Sequence, residues 1–288
     1  MRVPYPILEN DVRELYEQGL PSGERTGWPS LDALYTVAPC QWTLITGIPG
    51  AGKSEFLDAI MVHLADRYEW RFAIFSPENH PVQLNASKLM EKWIGKPFGA
   101  GPTERMTPGE VGSSLDFVTK HFVFLKFERP NLIDVLRDAG ECRFMSTRKA
   151  GIVIDPWNQI EHFRPPNMTE AEYLSASLSQ VIAHVREYEI HLWMIAHPKV
   201  MSRDRDGKRP VPTPYDVSGG AHWFNKADNI LCVHRDAADD SQMVQVHVQK
   251  IRFKHIGHVG VAEFRYDRVT GKYHEIIKAV EQRALYGD

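Results

Sequence analysis

The sequence has 288 residues, of which 43% are hydrophobic and 25% charged, and a formal net charge of −3. This length and balance predict one globular domain, and the negative net charge means that any nucleic-acid contact must come from a local basic patch. The three cysteines, Cys40, Cys142 and Cys232, have neither paired nor metal-ligand spacing and are typical of a reducing compartment. Because there is no signal peptide and no long apolar run, we expect a cytoplasmic protein that does not enter the membrane.

The N-terminal segment predicts an amphipathic helix ahead of the main domain. Within residues 7–20 the apolar side chains recur at helical spacing, in a stripe formed by Ile7, Leu8, Val12, Leu15 and Tyr16. Such a stripe can pack against the domain of its own chain. We assign residues 1–22 to this helix and residues 23–288 to a single domain.

Strands and helices then alternate along the chain. Strands are predicted at 41–47, 71–76, 121–127, 151–156, 192–196, 229–234 and 243–251, with helices between several of them, including 54–68 and 168–189. Most of these strands are continuous apolar runs, which are typical of strands covered on both faces in a mainly parallel sheet. The segment 261–276 has a turn between two β-rich arms and predicts a C-terminal β-hairpin. The stretch 95–110, rich in glycine and proline, predicts a surface excursion.

A phosphate-binding loop joins the first strand to the helix that follows it. Gly47, Gly52, Lys53 and Ser54 have the required spacing, between a strand and a helix. Backbone N–H groups at such a helix start bind phosphate oxygens, the lysine reaches the β- and γ-phosphates, and the serine hydroxyl binds Mg²⁺. The predicted ATP site comprises Gly47, Ile48, Pro49, Gly50, Ala51, Gly52, Lys53 and Ser54. The alternative is a glycine-rich turn with an exposed lysine.

Two carboxylates follow other strands and are candidates for the rest of an ATPase site. Asp155 ends an apolar strand, at the sheet edge where ligands bind in such folds, and would supply a second oxygen on the Mg²⁺ side. Otherwise Asp155 is a turn residue ahead of Pro156. Glu78 ends another strand and could polarise the attacking water, although Pro77 and Asn79 equally indicate an ordinary turn.

The order of these segments resembles the ATPase domain of DnaB-type replicative helicases, within the RecA-like superfamily, and above all their Twinkle and phage primase-helicase branch. The similar segments run from residue 26 to the C-terminus: TGWPSLDALYTVAPCQWTLITGIPGAGKS, FSPE, IVIDPWNQI, MIAHPK, DVSGGAHWFNKADNILCVHRD and VQKIRFKHIGHVG. The resemblance implies an α/β fold with a mainly parallel twisted sheet flanked by helices. Cys40 stands where that family usually has glycine, and we expect a local change of turn there.

The resemblance also assigns roles to individual side chains. It implies that Glu78 is the catalytic base and that His197 senses the γ-phosphate, although a satisfied histidine at a strand end is the alternative for His197. It implies that Lys250 and Arg252 reach into the nucleotide site of a neighbouring subunit, whereas two cations alternating on a strand also fit a solvated edge strand. The N-terminal helix would dock on the adjacent subunit.

Two loops are candidates for contacts with single-stranded DNA. The stretch 201–210 has four cations without helix or strand periodicity: Arg203, Arg205, Lys208 and Arg209. In the resembled family the corresponding loop faces the central channel of a ring, where cations follow the phosphate backbone. A first channel loop, 161–170, has Arg164 as its only cation. Charge runs are also typical of solvated loops, and Asp204 and Asp206 reduce the basic character of this one.

The sequence therefore predicts a motor ATPase that forms a ring, by the resemblance a hexamer. It would use ATP and Mg²⁺ to move along single-stranded DNA and unwind duplex DNA. The resemblance implies 5′ to 3′ movement and a primase domain or primase partner. A recombination ATPase of the RecA or RadA type is one alternative, although the chain has no clear recombinase signature. A nucleotide-gated assembly ATPase with little DNA affinity is the other.

Overall fold

The computed structural model describes residues 5–142, 149–202, 209–235 and 242–276. The helices in this part of the chain are α1 (Tyr5–Gln18), α2 (Pro29–Asp32), α3 (Lys53–Tyr68), α4 (Val82–Ile94), α5 (Pro108–His121), α6 (Leu132–Gly140), α7 (Glu170–Glu187) and α8 (Gly220–Lys226). The strands are β1 (Gln41–Thr46), β2 (Arg71–Phe75), β3 (Phe122–Phe124), β4 (Ala150–Ile154), β5 (His191–Ile195), β6 (Asn229–His234), β7 (Met243–Ile251), β8 (Gly260–Tyr266) and β9 (Tyr273–Glu275). No helix within these ranges combines the length and the apolar character needed to cross a bilayer.

The strands form one sheet, in the order β3-β2-β4-β5-β1-β6-β7-β8-β9. Pairing is parallel from β3 to β6, and β7, β8 and β9 continue the sheet in antiparallel pairs. The predicted α/β fold, with a mainly parallel sheet and a C-terminal hairpin, is confirmed. β3 is shorter than predicted because α5 continues to His121, whose ring Nδ1 donates to the Trp70 carbonyl oxygen at 2.8 Å.

Successive side chains of the parallel strands pack into two cores, one on each face of the sheet. Ile45 and Phe72 lie in the core beneath α3, α4 and α5, whereas their neighbours Leu44 and Ala73 lie in the core beneath α6, α7 and α8. Fully burying a large apolar side chain contributes about 1.5–3 kcal/mol relative to leaving it exposed. A strand covered on both faces therefore needs apolar residues at every position, which explains the continuous apolar runs of the sequence.

The turn before β1 keeps a glycine-like backbone although it contains a cysteine. Cys40 has a φ of 61°, in the left-handed region that favours glycine, and its N–H donates to the Ile190 carbonyl oxygen at 2.8 Å. The expected change of turn at this position is therefore not seen.

Two segments lie outside the cores. No residue of α1 is buried, and Tyr16 in its apolar stripe is 89% exposed. The stripe therefore does not pack on the described part of its own chain. The predicted surface excursion leads from α4 to α5, and its Lys96 pairs with Glu104 at 2.8 Å and with Glu110 at 2.9 Å.

Candidate active site

The phosphate-binding loop occupies residues 47–52, between β1 and α3. Gly47 has a φ of 149°, and a Cβ at this position would lie 2.2 Å from the carbonyl oxygen of Val233 on β6. Gly52 has a φ of 92° and is the N-cap residue of α3. Glycine satisfies both requirements because it has no Cβ. The first N–H groups of α3 lack partners within the helix, so this loop has the geometry of an anion site.

Lys53 is held inside the loop rather than exposed to solvent. Its side chain is buried, and Nζ donates to the carbonyl oxygens of Gly47 at 2.9 Å and Ile48 at 3.1 Å. Burial lowers the pKa of Lys53, and the nearby carboxylates of Asp155 and Glu78 oppose that shift. The alternative of a turn with an exposed lysine is therefore wrong.

Asp155 lies directly after β4 and is 4% exposed. Its Oδ2 accepts hydrogen bonds from Ser76 Oγ at 3.1 Å and from Asn79 Nδ2 at 3.3 Å, and the Ser54 side chain also hydrogen-bonds to the carboxyl group. Burial raises the pKa of Asp155, whereas the hydrogen bonds from Ser54 and Ser76 lower it. A hydroxyl and a carboxylate are the oxygen ligands that Mg²⁺ prefers, so this pair fits the cation expected with ATP.

Glu78 and His197 lie next to this pair. Glu78 follows β2, is about half-exposed, and has its Oε1 3.6 Å from Nε2 of His197. The backbone N–H of His197 donates to Asn158 Oδ1 at 3.0 Å. Burial, and after it the positive charge of Lys53, lowers the pKa of His197, while Glu78 opposes the shift. His197 is therefore neutral at neutral pH and can donate or accept a hydrogen bond.

The strand order explains why four residues distant in sequence come together. Lys53, Glu78, Asp155 and His197 follow the carboxyl ends of β1, β2, β4 and β5, which are neighbours in the order β2-β4-β5-β1. Parallel strands present their carboxyl ends at the same edge, where ligands bind in sheets of this type. The structure thus brings together every predicted site residue of the nucleotide half.

Lys250 and Arg252 lie elsewhere. Lys250 is opposite Ile230, near the amino-terminal end of β6, whereas the phosphate loop follows the carboxyl end of β1. Lys250 Nζ donates to the Ala227 carbonyl oxygen at 2.8 Å, and burial lowers the pKa of Lys250 to about 8. Arg252 Nε pairs with Asp228 at 2.7 Å. Both cations thus meet the carboxyl end of α8, and neither contacts the phosphate loop of its own chain.

The edge-strand interpretation of Lys250 and Arg252 is wrong. β7 is an inner strand, hydrogen-bonded to β6 on one side and to β8 on the other. The two cations are compensated by helix carbonyls and a carboxylate rather than by solvent alone.

The predicted DNA loops begin at the same sheet edge as the nucleotide site. Arg203, Arg205 and Lys208 lie outside the described residues, and Arg209 and Arg164 are exposed. The loop that contains Arg209 is closed at its base by a bridge between Pro198 and Val217. Arg164 lines a cavity of about 440 Å³ together with Trp157, His162, Glu170, Tyr173 and Trp223.

Some functional side chains could not be recognised from sequence patterns. Ser76 and Asn79 hydrogen-bond to Asp155, and Lys88 on α4 donates to Asn79 Oδ1 at 3.0 Å. Asn158 binds the backbone of His197. The only signal for them was that Ser76 and Asn79 flank Glu78 and that Asn158 follows Asp155 closely, at positions also typical of turns.

A glycine-rich loop between a strand and a helix, with a buried carboxylate two strands away in a mainly parallel sheet, defines the RecA-like class of phosphate-loop ATPase folds. No family model matches the sequence. The chain is 36% identical over 289 residues to the Twinkle homolog protein, chloroplastic/mitochondrial, of Arabidopsis thaliana. That match covers 94% of this chain and 40% of the relative, so the chain spans well under half of that protein.

Solved structures share the fold. The ATPase domain of one DnaB-like helicase has a TM-score of 0.76 at 17% identity, covering 96% of this chain and 100% of that domain. Another DnaB-like replicative helicase, solved in a study of its interactions with primase, has a TM-score of 0.75 at 15% identity and covers 96% of this chain and 69% of that one. The predicted resemblance to DnaB-type helicases and their Twinkle branch is therefore confirmed.

Proposed function

We propose that this chain is the ATPase motor of a replicative DNA helicase that moves along single-stranded DNA and unwinds duplex DNA as a ring. The main support is the convergence of Lys53, Glu78, Asp155 and His197 at one sheet edge of a chain similar to a Twinkle homolog. In this proposal residues 1–22 are a linker helix and residues 23–288 are the ATPase domain.

The hydrolysis step is assigned to residues of the phosphate-loop edge. Lys53 and the loop N–H groups bind the β- and γ-phosphates of ATP, and Ser54 and Asp155 hold Mg²⁺. When bound, the cation neutralises charge on the phosphate oxygens. Glu78 accepts a proton from the attacking water, which its half-exposed carboxylate can reach from solvent.

His197 links the reacting phosphate to the second DNA loop. It lies 3.6 Å from Glu78, and the next residue, Pro198, forms the bridge with Val217 at the base of that loop. When the γ-phosphate leaves, a change in the hydrogen bonds of His197 would move the base of the loop. Cations of the two loops then follow the DNA backbone without reading its sequence: Arg164, Arg203, Arg205, Lys208 and Arg209.

The motor assembles from copies of this chain, as a hexameric ring. The exposed apolar stripe of α1 docks on a neighbouring copy, in the groove between α6 and α7. Ile133 and Gln180 line two adjoining cavities of that groove, of about 440 and 390 Å³, and Ile133 is 60% exposed. Lys250 and Arg252 complete the nucleotide site of the neighbour. Because a DnaB-like helicase interacts with primase, we include a primase domain or partner.

Strand displacement tests the proposed function. With ATP and Mg²⁺, the protein should hydrolyse ATP faster in the presence of single-stranded DNA and separate a forked duplex with a 5′ tail. Lys53→Ala should do neither, because it removes the ammonium that binds the phosphates. Filament formation and strand pairing without displacement would indicate a recombination ATPase and overturn the proposal. ATP-dependent assembly without DNA binding would overturn it in favour of an assembly ATPase.

The charged loop provides a second test of the DNA contact. Neutralising Arg205, Lys208 and Arg209 together should weaken single-strand binding and lower the slope of log affinity against log salt by about two, since each phosphate contact on a single strand contributes about 0.7. Basal hydrolysis without DNA should persist. The measurement is oligonucleotide binding across a salt series, and an unchanged slope would show that the loop is only solvated.

A further inference from the structure

The turn that contains Glu78 is anchored by the residue that follows it. Asn79 Nδ2 donates to Ser76 Oγ at 2.8 Å and to Asp155 Oδ2 at 3.3 Å, so a single amide group spans the turn and the buried carboxylate. The backbone N–H of Asn79 also donates to the Ser76 carbonyl oxygen at 3.2 Å. Glu78 lies inside this closed turn.

The other end of the Asn79 amide is held from a different helix. Lys88 on α4 donates from Nζ to Asn79 Oδ1 at 3.0 Å, and the same ammonium pairs with Glu55 Oε1 at 3.0 Å. Glu55 directly follows Ser54 in the first turn of α3. Lys88 therefore connects the helix that begins at the phosphate loop with the turn of Glu78. Because an ammonium only donates, it also fixes which way the amide faces: oxygen toward Lys88 and nitrogen toward Asp155.

A second lysine belongs to the same ion cluster but not to this connection. Lys92, one helical turn further along α4, pairs with Glu55 and is buried, and it has a favourable charge interaction with the buried Asp58. Lys92 has no described hydrogen bond to Asn79. The chain thus offers an internal control: two lysines share the partner Glu55, and one of them, Lys88, extends to the turn of Glu78.

We propose that Asn79 and Lys88 are positioning residues for ATP hydrolysis. Lys88 orients the Asn79 amide, and the amide orients both the Asp155 carboxylate and the turn that presents Glu78. This inference rests on the proposed ATPase function and adds two residues to it. Partners of this kind, which orient a cation-binding carboxylate without touching the substrate, typically change metal affinity or activity by about 10- to 100-fold when they are removed.

The main experiment compares Lys88→Met with Lys92→Met. Lys88→Met should lower kcat roughly 10- to 100-fold with little change in KM for ATP, because the phosphate loop is intact. Lys92→Met should lower the thermal midpoint but keep kcat within about threefold of wild type at temperatures where both variants are folded. Lys88→Arg should recover most of the activity, since a guanidinium can donate to Asn79 and Glu55 together. Equal losses of kcat in Lys88→Met and Lys92→Met, or no loss in Lys88→Met, would overturn the positioning role.

A binding measurement tests the same inference without turnover. In Asn79→Leu, which keeps the size and removes both amide contacts, a fluorescent ATP analogue should bind normally without Mg²⁺. The Mg²⁺ concentration for half-maximal enhancement of that binding should rise about tenfold. An unchanged Mg²⁺ requirement would contradict the role of Asn79. If the wild-type protein binds the analogue with Mg²⁺ but hydrolyses no ATP, the proposed function fails while the titration still tests Asn79, and absence of Mg²⁺-dependent binding overturns both.

Discussion

At the scale of single residues, Glu78 is the side chain whose replacement should separate ATP binding from ATP hydrolysis. Glu78→Gln keeps the size and polarity of the side chain and removes the proton acceptor, so turnover should fall by about 10² to 10⁴. Mg²⁺-dependent ATP binding should persist because Lys53, Ser54 and Asp155 are unchanged. Steady-state hydrolysis and analogue binding measure the two properties separately.

The matched control for Glu78→Gln is Glu104→Gln, in the exposed segment between α4 and α5, where Glu104 contacts only Lys96 among the described residues. It should hydrolyse ATP at the wild-type rate. Near-normal turnover in Glu78→Gln would move the catalytic role to another group.

His191 predicts how the stability of the protein depends on pH. Its Nδ1–H donates to the Ala38 carbonyl oxygen at 2.7 Å and its Nε2 accepts from Thr43 Oγ1 at 2.9 Å, in a fully buried site. Burial lowers the pKa of His191 from 6.5 to about 4. The folded protein therefore does not bind the proton that the unfolded chain takes up below its own pKa. The contribution of His191 is favourable above that value and is lost as the pH falls toward 4, by about 1.4 kcal/mol per pH unit.

Denaturant unfolding between pH 4.5 and 8 measures this contribution, as the difference between wild type and His191→Gln. Glutamine can occupy the same hydrogen bonds and does not titrate. Asp58, whose pKa is raised by burial to about 7, acts in the opposite direction and cancels in the difference because both proteins contain it. An identical pH dependence in the two proteins would mean that His191 is not the titrating group.

At the scale of elements, α1 has the clearest prediction because no residue of it is buried. Replacing Leu8 and Val12 with Asp should leave the thermal midpoint of the domain unchanged and should reduce assembly in the presence of a slowly hydrolysed ATP analogue. Light scattering after size exclusion measures the assembly state. Glu17→Ala alters the opposite side of the helix and should assemble normally. Full assembly of the Leu8 and Val12 variant would contradict docking through this stripe.

At the scale of the whole molecule, the prediction concerns a nucleotide site shared between subunits. Arg252→Ala should cut hydrolysis by roughly 10³-fold with modest loss of ATP binding, as for other arginine fingers. Lys53→Ala should be inactive because the phosphate loop of the same subunit is damaged. In a mixture of the two, an intact loop of an Arg252→Ala subunit can meet a wild-type arginine of a Lys53→Ala neighbour. Single-turnover hydrolysis should therefore recover in part.

Asp228→Asn separates this role from a structural one, because Arg252 also pairs with Asp228 in its own chain. The variant weakens that pair, keeps a side-chain oxygen to accept from the Trp42 N–H, and leaves Arg252 in place. If Arg252 acts in trans, Asp228→Asn should be less stable but still hydrolyse ATP. Hydrolysis lost equally in Asp228→Asn and Arg252→Ala, or subunit exchange without recovery in the mixture, would rule out a finger in trans.

The local part of this protein could be predicted from the sequence by itself. The phosphate loop depends on the spacing of Gly47, Gly52, Lys53 and Ser54 between a strand and a helix, and all of these contacts are within one supersecondary unit. The parallel strands could be recognised because burial on both faces requires apolar residues at every position. The end-of-strand positions of Asp155 and His197 followed from the same runs.

Only the tertiary structure decided which strand ends are neighbours. The order β2-β4-β5-β1 depends on pairings between distant segments, and it is this order that brings Glu78, Asp155 and His197 to Lys53. The same holds for the contact between Lys88 and Asn79, which joins α4 to a turn, and for Lys250 and Arg252 at the end of α8. Sequence spacing describes neighbours along one element, whereas hydrogen bonding and packing across the sheet set the neighbours between elements, so these contacts had no local signal.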